Sequence, residues 1–476
     1  MEDKIINIKN NRECFFDDYL LDRKNTTAES RLHNPTPREI VLTHDEPWEG
    51  DGCNYHNIFY DNGIWRMYYL AWKMLDLCDG VRVCYAESKD GVHYVKPNLN
   101  KVEYNGNKNN NILFDDSFDN FMVFKDTNPN CLKGQKYKAI ASGNIETGEP
   151  CLYAYYSDDA INFTRGNVVS LDGKFDSLNV AFYDEVTKTY KCYFRGFHYR
   201  QGDHLKKDLV GEGVRDIRYI ESNDFINWTN FKILDFKNAE EVPLYTSAII
   251  PYYRAPHTYI GFPTRYIERK EWTANYDELC GKEKRKARMA KNKRYGLALT
   301  DCAFMFSRDG YHFKLYEEAF ISPPPENDCN WVYGDCYPTR GIVETPATID
   351  GADNEISIFL NENHWQRKPA VLRRYTLRRD GFVSLHAGGS EELITTKPFI
   401  YNGEKLKVNF STSARGYMYF TIKGENGIEF TSDETFGNST NRTVTFSNDL
   451  VKQLSGTPVV LTVRLKDADL YSIKFE

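Results

Sequence analysis

The sequence has no run approaching 18 consecutive apolar residues, so no segment of it reads as a membrane-spanning helix. It has no excess of basic charge. The formal net charge is −7, and without a basic face a phosphate-backbone partner such as nucleic acid is not expected. It has no paired cysteine spacing either. The 11 Cys are odd in number and scattered, with no CxxC matched by a second CxxC or by an HxxxH, so a zinc site is not expected; no cofactor is expected, and a structural ion stays open. Scattered thiols in a chain of 476 residues suit a reducing compartment. The opening MEDKIINIKNN lacks the apolar segment of a signal peptide. These absences together lead to the expectation of a cytoplasmic protein with no membrane partner; its oligomeric state stays open.

What is present is aromatic and strand-forming. Aromatic residues make up 14% of the chain, led by 33 Tyr and 29 Phe, and Asn-Gly and Asp-Gly turns are frequent. One short pattern recurs. It reads Ser88-Lys89-Asp90-Gly91 followed by His93, then Ser157-Asp158-Asp159 with Asn162, Ser222-Asn223-Asp224 with Asn227, and Ser307-Arg308-Asp309-Gly310 with His312. A degenerate fifth copy is Arg378-Arg379-Asp380-Gly381. The aspartates fall at 90, 159, 224, 309 and 380, with successive gaps of 69, 65, 85 and 71 residues. An Asp that accepts hydrogen bonds from the backbone ahead of it, followed by a left-handed residue, is a turn. Five copies at this spacing predict five four-stranded blades, longer than the roughly 40–50 residues of compact propeller repeats.

Strand-like text precedes each turn, as in Asn57 to Trp72 with Asn62-Gly63 at a hairpin tip. Two segments break the rhythm. Residues 266–294 are charged and helix-prone, read as a solvated surface helix with a lid or partner-binding arm as the alternative. After Gly388-Gly389 the text turns to alternating strands such as Lys405 to Phe410 and Val459 to Arg464. The expected fold is therefore all-β. A five-bladed β-propeller occupies residues 1–388, with an N-terminal extension over 1–45 and a helical insertion at about 266–294. A C-terminal β-sandwich follows over 389–476.

In a propeller the innermost strands start at one end of a central channel. The text ahead of these strands is acidic in four of five blades: Asp51 in Gly50-Asp51-Gly52, Asp119 in Phe118-Asp119-Asn120, Asp176 in Phe175-Asp176-Ser177, and Glu344 in Val343-Glu344-Thr345. Blade four offers Tyr245-Thr246. Cleaving a glycosidic bond takes one protonated and one ionised carboxyl, and a confined ring of acids pushes their pKa values apart. Trp48, His56, Arg195, Tyr245, Arg265 and Trp331 are candidates for sugar stacking and hydroxyl recognition. Asp335 in Gly334-Asp335-Cys336 is a rival for the acid of its region. Each acid alone also reads as a turn former, and His56 as a satisfied core histidine.

The stretch from Asp45-Glu46-Pro47-Trp48-Glu49-Gly50 through Met67-Tyr68-Tyr69 to Ser88-Lys89-Asp90-Gly91 resembles bacterial proteins related to glycoside hydrolase family 32 and its relative family 43. Arg254-Ala255-Pro256-His257, Gly261 to Tyr266 and the ending Lys466 to Ser472 carry the same resemblance. It implies a five-bladed propeller with three central acids: Asp51 as nucleophile, Asp119 as transition-state stabiliser and Asp176 as general acid. The family's Asn-Asp-Pro, Arg-Asp-Pro and Glu-Cys motifs are replaced here, and Glu344 is the alternative acid because Asp176 is one methylene shorter than Glu. The expected function is hydrolysis of a terminal sugar, a fructosyl or arabinosyl furanoside favoured, from an oligosaccharide. The alternatives are a non-catalytic carbohydrate-binding propeller and a sialidase-like enzyme. The last requires three central arginines, for which only Arg195 and Arg265 stand out.

Overall fold

The computed structural model describes residues 5–74, 80–115, 118–198, 213–237, 239–447 and 450–476. The chain is all-β, with 49% strand against 5% helix. Five sheets of the strand order expected for blades follow one another. Blade one is Asn54–Asp61, Ile64–Ala71, Arg82–Ser88 and Tyr94–Val95, with Ile112–Phe114 added beside its third strand. Blade two is Phe121–Lys125, Tyr137–Asn144, Pro150–Ser157 and Thr164–Ser170. Blade three is Val180–Asp184, Thr189–His198, Val214–Ser222 and Lys232–Ile233. Blade four is Ile250–Tyr252, Ala255–Gly261, Met305–Ser307 and Phe313–Leu315. Blade five begins with Tyr337–Pro338 and Val343–Thr345, both paired to Glu355–Glu362, and continues with Val371–Arg378. Its outer strand is Thr36–Thr43, which pairs Leu42 with Leu372 and closes the ring with chain from the N-terminal side.

Local chemistry explains the hairpins. Asn62 (φ 49°) and Gly63 (φ 90°) both adopt the left-handed conformation that a two-residue turn needs to match strand twist, and Asp61 pairs with Ile64 across it. Four of the five aspartate turns are built alike. In blade two the Ser157 hydroxyl accepts the Ala160 N–H at 3.0 Å, and Asp159 accepts the N–H groups of Ile161 and Asn162 at 2.9 and 2.7 Å. Burial would raise the Asp159 carboxyl, but these donors and the Asn162 side chain outweigh it and hold the group at about 2. The residue after the Asp takes positive φ in all four: Gly91, Ala160, Phe225 and Gly310.

Blades are latched to one another by a repeated pair. A tyrosine of one blade's second strand donates to the aspartate at the first hairpin of the blade before it. Tyr137 reaches Asp61 at 2.8 Å, Tyr190 reaches Asp126 at 2.7 Å, and Tyr259 donates to Asp184. A cation supports each acid: Arg66 at 2.9 Å from Asp61, Lys138 on Asp126, and Lys191 at 3.9 Å from Asp184. Tyr68 and Tyr193 likewise donate to the carbonyls of Ala160 and Gly310 in the next blade's turn, each at 2.8 Å.

The fifth aspartate differs from the expected turn. Asp380 carries the positive φ itself and is fully buried. It accepts from Arg254 at 2.7 and 3.1 Å, Tyr252 at 2.6 Å, Ser472 at 2.8 Å and Asn409 at 3.1 Å, with Arg12 at 3.5 Å. It therefore ties blade four to the C-terminal strands and to the N-terminal segment. A Ser at position 378 would have supplied the turn's hydroxyl; Arg378 instead reaches Asn409 and Phe410.

The C-terminal strands form a nine-stranded sheet that departs from the expected boundaries. Val383–Thr395 runs through Gly388-Gly389 without a linker, and the N-terminal extension is split between two partners. Ile6–Lys9, Arg12–Cys14 and Glu29–Leu32 pair with C-terminal strands, while Thr36–Thr43 belongs to blade five. The sheet has its own apolar core, with Phe410, Phe420, Leu465 and Phe475 fully buried and Phe15 beside them. Register shifts at Ala387/Glu391 and Thr412/Tyr417 bend its two longest strand pairs. The ten cysteines among the described residues are free thiols. Among the described residues no helix is long and apolar enough to cross a membrane.

Candidate active site

The loops leading into the inner strands are tied to each other where the channel opens. The Ser142 hydroxyl accepts the N–H groups of Asp119 and Asn120 at 2.7 and 3.2 Å, which sets the turn carrying Asp119. Asn179 donates to Asn120 at 3.3 Å and to the Phe175 carbonyl at 2.8 Å, linking blades two and three. Ser177 donates to the Tyr245 carbonyl at 2.6 Å, linking blades three and four. Blade five joins blade one through Arg340 N–H to the His56 carbonyl at 2.9 Å. Short polar residues beside each acid thus anchor the backbone and free the carboxylates to face inward.

They face a cavity of about 210 Å³, the size of a single sugar ring. Asp119 and Asp176 line it together with Arg195 and Tyr245. Arg195, only 4% exposed, forms an ion pair with Asp176 and lies 4.6 Å from the Tyr245 ring centre. The Asp119 side chain is open to solvent, as is that of Asp176; partial desolvation by the cavity walls raises the Asp119 carboxyl, the charge of Asp176 raises it further, and Arg195 opposes both. One wall is a tyrosine cluster. Tyr245 stacks on Tyr337 at 5.5 Å, and Tyr337 on Tyr55 at 6.1 Å. The Tyr245 hydroxyl meets those of Tyr333 at 3.0 Å and Tyr55 at 3.3 Å. Burial drives the phenols of Tyr55, Tyr333 and Tyr337 well up, so they act as neutral hydrogen-bonding groups and flat apolar faces.

The other candidates lie elsewhere. Asp51 is 5% exposed and does not line the cavity; it accepts the backbone N–H groups of Met74 at 2.9 Å and Arg367 at 3.0 Å, stapling two loops. Glu344 sits at the far end of blade five's inner strand, which begins at Tyr337. On the partner strand the position opposite Glu344 lies five residues, about 17 Å, from the one opposite Tyr337 at the cavity end. It accepts from Tyr253 at 2.5 Å, Asn354 at 3.0 Å and Arg379 at 3.3 Å. His56 is a core histidine, 3.0 Å from His44 and stacked on Tyr69, and burial lowers its pKa strongly. Trp48 donates to Asn111 at 2.9 Å. Arg265 is held by Asp301 through two bonds of 2.6 Å. Trp331 donates to the Pro324 carbonyl at 2.9 Å. Asp335 stands just before the inner strand but points away from the cavity, accepting the Val332 N–H at 2.8 Å; burial pushes its carboxyl up to about 7.

Several cavity residues carried no local sequence signal. Arg215 lies on the third strand of blade three, and Arg294 and Tyr295 end the charged insertion. That insertion is not the solvated helix expected. Its helix Lys282–Lys291 buries Arg285 and Arg288, which donate to the Trp331 and Trp365 carbonyls at 2.8 and 3.3 Å. Tyr295 then packs on Trp365 at 4.5 Å and on Tyr333 at 6.1 Å, so the insertion forms a cavity wall. His364 completes it. Burial, then the Arg288 charge, pushes this imidazole down to about 3, and it packs on Gly334, where an added Cβ would lie 2.0 Å from its ring and φ is +101°. Lys174 and Trp72 complete the rim. Among the described residues no group of three or more His, Cys, Asp or Glu could hold a metal ion.

No protein-family model and no curated protein matches the chain, so the family-32 resemblance rests on the motifs quoted above. Solved structures are similar at a distance. A thermostable family-43 glycoside hydrolase is 12% identical, covers 74% of this chain and 95% of its own, and has a TM-score of 0.42. A family-43 arabinoxylan arabinofuranohydrolase from Bacillus subtilis, in complex with cellotetraose, is 11% identical, with 95% and 99% coverage and a TM-score of 0.39. An N-acetylgalactosamine deacetylase from F. plautii, in complex with blood group B trisaccharide, is 10% identical, with 74% and 94% coverage and a TM-score of 0.42.

Proposed function

We propose that this protein is a glycosidase that removes a terminal sugar from an oligosaccharide, with Asp119 and Asp176 as its reacting pair. The supporting observation is that these two carboxylates, from adjacent blades, face one sugar-sized cavity walled by tyrosines and sit in unlike surroundings. Asp119, raised by partial desolvation and by its neighbour's charge, is suited to hold the proton that the leaving oxygen takes. Asp176, paired with Arg195, is the partner carboxylate that stabilises positive charge at the sugar or activates the attacking group. These roles differ from those implied by the family resemblance, in which Asp119 stabilises and Asp176 donates. Asp51 then serves the architecture of the loops, and the nine-stranded sheet, read as a sandwich module, braces the ring. Fructosyl and arabinosyl furanosides and other short glycan termini are the substrates to test first.

The test is a panel of aryl glycosides and oligosaccharides with wild type and four variants. Asp119→Asn and Asp176→Asn are each expected to lower kcat by roughly 10²-fold or more, while Glu344→Gln keeps the wild-type rate. Asp51→Asn is expected to lower stability before it lowers kcat. Full rates in both Asp119→Asn and Asp176→Asn would exclude the pair. One observation favours a second reading, a carbohydrate-binding propeller without catalysis: two acids face the cavity where the resemblance implies three. Sugar binding by wild type with no turnover of any glycoside would establish that reading.

A further inference from the structure

Cations outnumber acids in the cavity. Lys174, Arg195, Arg215 and Arg294 line it, against Asp119 and Asp176. Arg195 is already paired with Asp176. Arg215 is not. It is 8% exposed, and its Nε has no hydrogen-bond partner. Among the described residues no carboxylate reaches its guanidinium. What holds it is aromatic: the guanidinium lies 3.9 Å from the Tyr266 ring centre, 5.3 Å from Phe197 and 5.7 Å from Tyr245. Contacts through the flat face leave the N–H edge of the planar fork available. Arg294 comes from another part of the chain, the end of the helical insertion, and is braced by Tyr295 at 5.0 Å. It too has no carboxylate partner among the described residues. Burying a guanidinium without an anion is costly, and the preorganised fork fits two oxygens of one oxyanion.

We infer that the cavity takes a sugar bearing an oxyanion, either the carboxylate of a uronic acid or a sulfate ester, with Arg215 and Arg294 as its receptor. The inference rests on the reading of the cavity as a sugar site and narrows it. A neutral sugar offers Arg215 hydroxyl acceptors but no counter-charge, whereas an acidic one supplies both while its ring lies against Tyr245 and Tyr337. Arg195 remains with the reacting acids. This arrangement puts three arginines in the cavity, but with Arg215 and Arg294 in place of the expected Arg265.

Titration calorimetry on the full chain tests it, with D-glucuronate and D-galacturonate set against D-glucose and D-galactose, and with D-galactose 6-sulfate as a separate arm. At least one acidic sugar is expected to bind roughly tenfold or more tightly than its neutral counterpart. Arg215→Gln and Arg294→Gln are each expected to remove most of that preference. The tighter arm identifies the oxyanion, carboxylate or sulfate. Circular dichroism guards against misfolding of Arg215→Gln, and Arg294→Gln, on a partly exposed helix end, is an independent check. Equal binding of acidic and neutral sugars, no binding of any acidic sugar, or preference retained in both variants would overturn the inference. Acidic-sugar binding without turnover would leave it standing and refute catalysis alone; turnover of neutral glycosides without acidic preference would do the reverse.

Discussion

Replacing Asp380 by Asn is expected to destabilise the protein more than any other single carboxylate change of equal size. The site is fully buried, and the carboxylate accepts from Arg254, Tyr252, Ser472 and Asn409 with Arg12 nearby. Burial would raise its pKa, but Arg254 and Arg12, aided by hydrogen bonds from Arg254 and Tyr252, bring it down to about 2 from an ordinary 3.8. At about 1.4 kcal/mol per unit, charging this group stabilises the fold by roughly 2–3 kcal/mol. Asn also leaves Arg254 and Arg12 without a counter-ion, and breaking a buried pair costs about 3–5 kcal/mol. The sign with pH follows. A carboxyl depressed in the folded state contributes its stability above the unfolded pKa, near 3.8, and loses it as pH falls through about 2. Urea unfolding followed by circular dichroism at pH 7 should therefore show a loss of about 3–5 kcal/mol for Asp380→Asn. Between pH 4 and pH 2 the variant should lose less stability than wild type. Adding Arg254→Met should recover part of the loss, since it removes the stranded charge. A variant within about 1 kcal/mol of wild type, or one with the same acid limb, would refute the account of Asp380 as the junction between propeller and C-terminal sheet.

Asp335 should behave in the opposite sense. Its folded pKa is raised to about 7, so folding is progressively weakened as pH rises from about 3.8 to 7; Asp335→Asn should match wild type near pH 4 and exceed it in thermal midpoint at pH 8. Gly91→Ala should cost roughly 1–3 kcal/mol by chemical denaturation, because φ is +77° and the new Cβ would lie 2.4 Å from the Val343 Cγ1 of blade five. Tyr137→Phe and Tyr190→Phe, each removing one donor to a buried aspartate between blades, should cost about 1–2 kcal/mol apiece and add in the double variant.

The blade repeat was legible because its signal is local. Ser, Asp and a left-handed residue within four positions determine their own turn, so Asp90, Asp159, Asp224 and Asp309 could be read from the text alone. Asp380 misled because the same dipeptide, Asp-Gly, serves a long-range junction when the Ser is missing. Asp119, Asp176 and Tyr245 came from reading the text ahead of each inner strand, and Arg195 from its residue type alone. The same count failed in blade five, where the inner strand begins at Tyr337 and Glu344 lies at its far end, because two short strand pieces hide the true start. Asp51 had the right address but not the right surroundings, since only the packed loops bring the amides of Met74 and Arg367 onto it.

The sequence by itself determined the all-β character, the five-fold repeat and the acid at the head of blades two and three, because each depends on residues a few positions apart. Only the tertiary structure decided what surrounds those acids. Arg215, Arg294, Tyr333 and His364 come from separate blades and from the insertion, and their meeting depends on ring closure rather than on any spacing. Ring closure also sent the N-terminal segment to two partners, Thr36–Thr43 to blade five and Arg12–Cys14 to the C-terminal sheet. A strand pairs with whichever edge the folded chain leaves open, and that edge exists only once the other blades are in place.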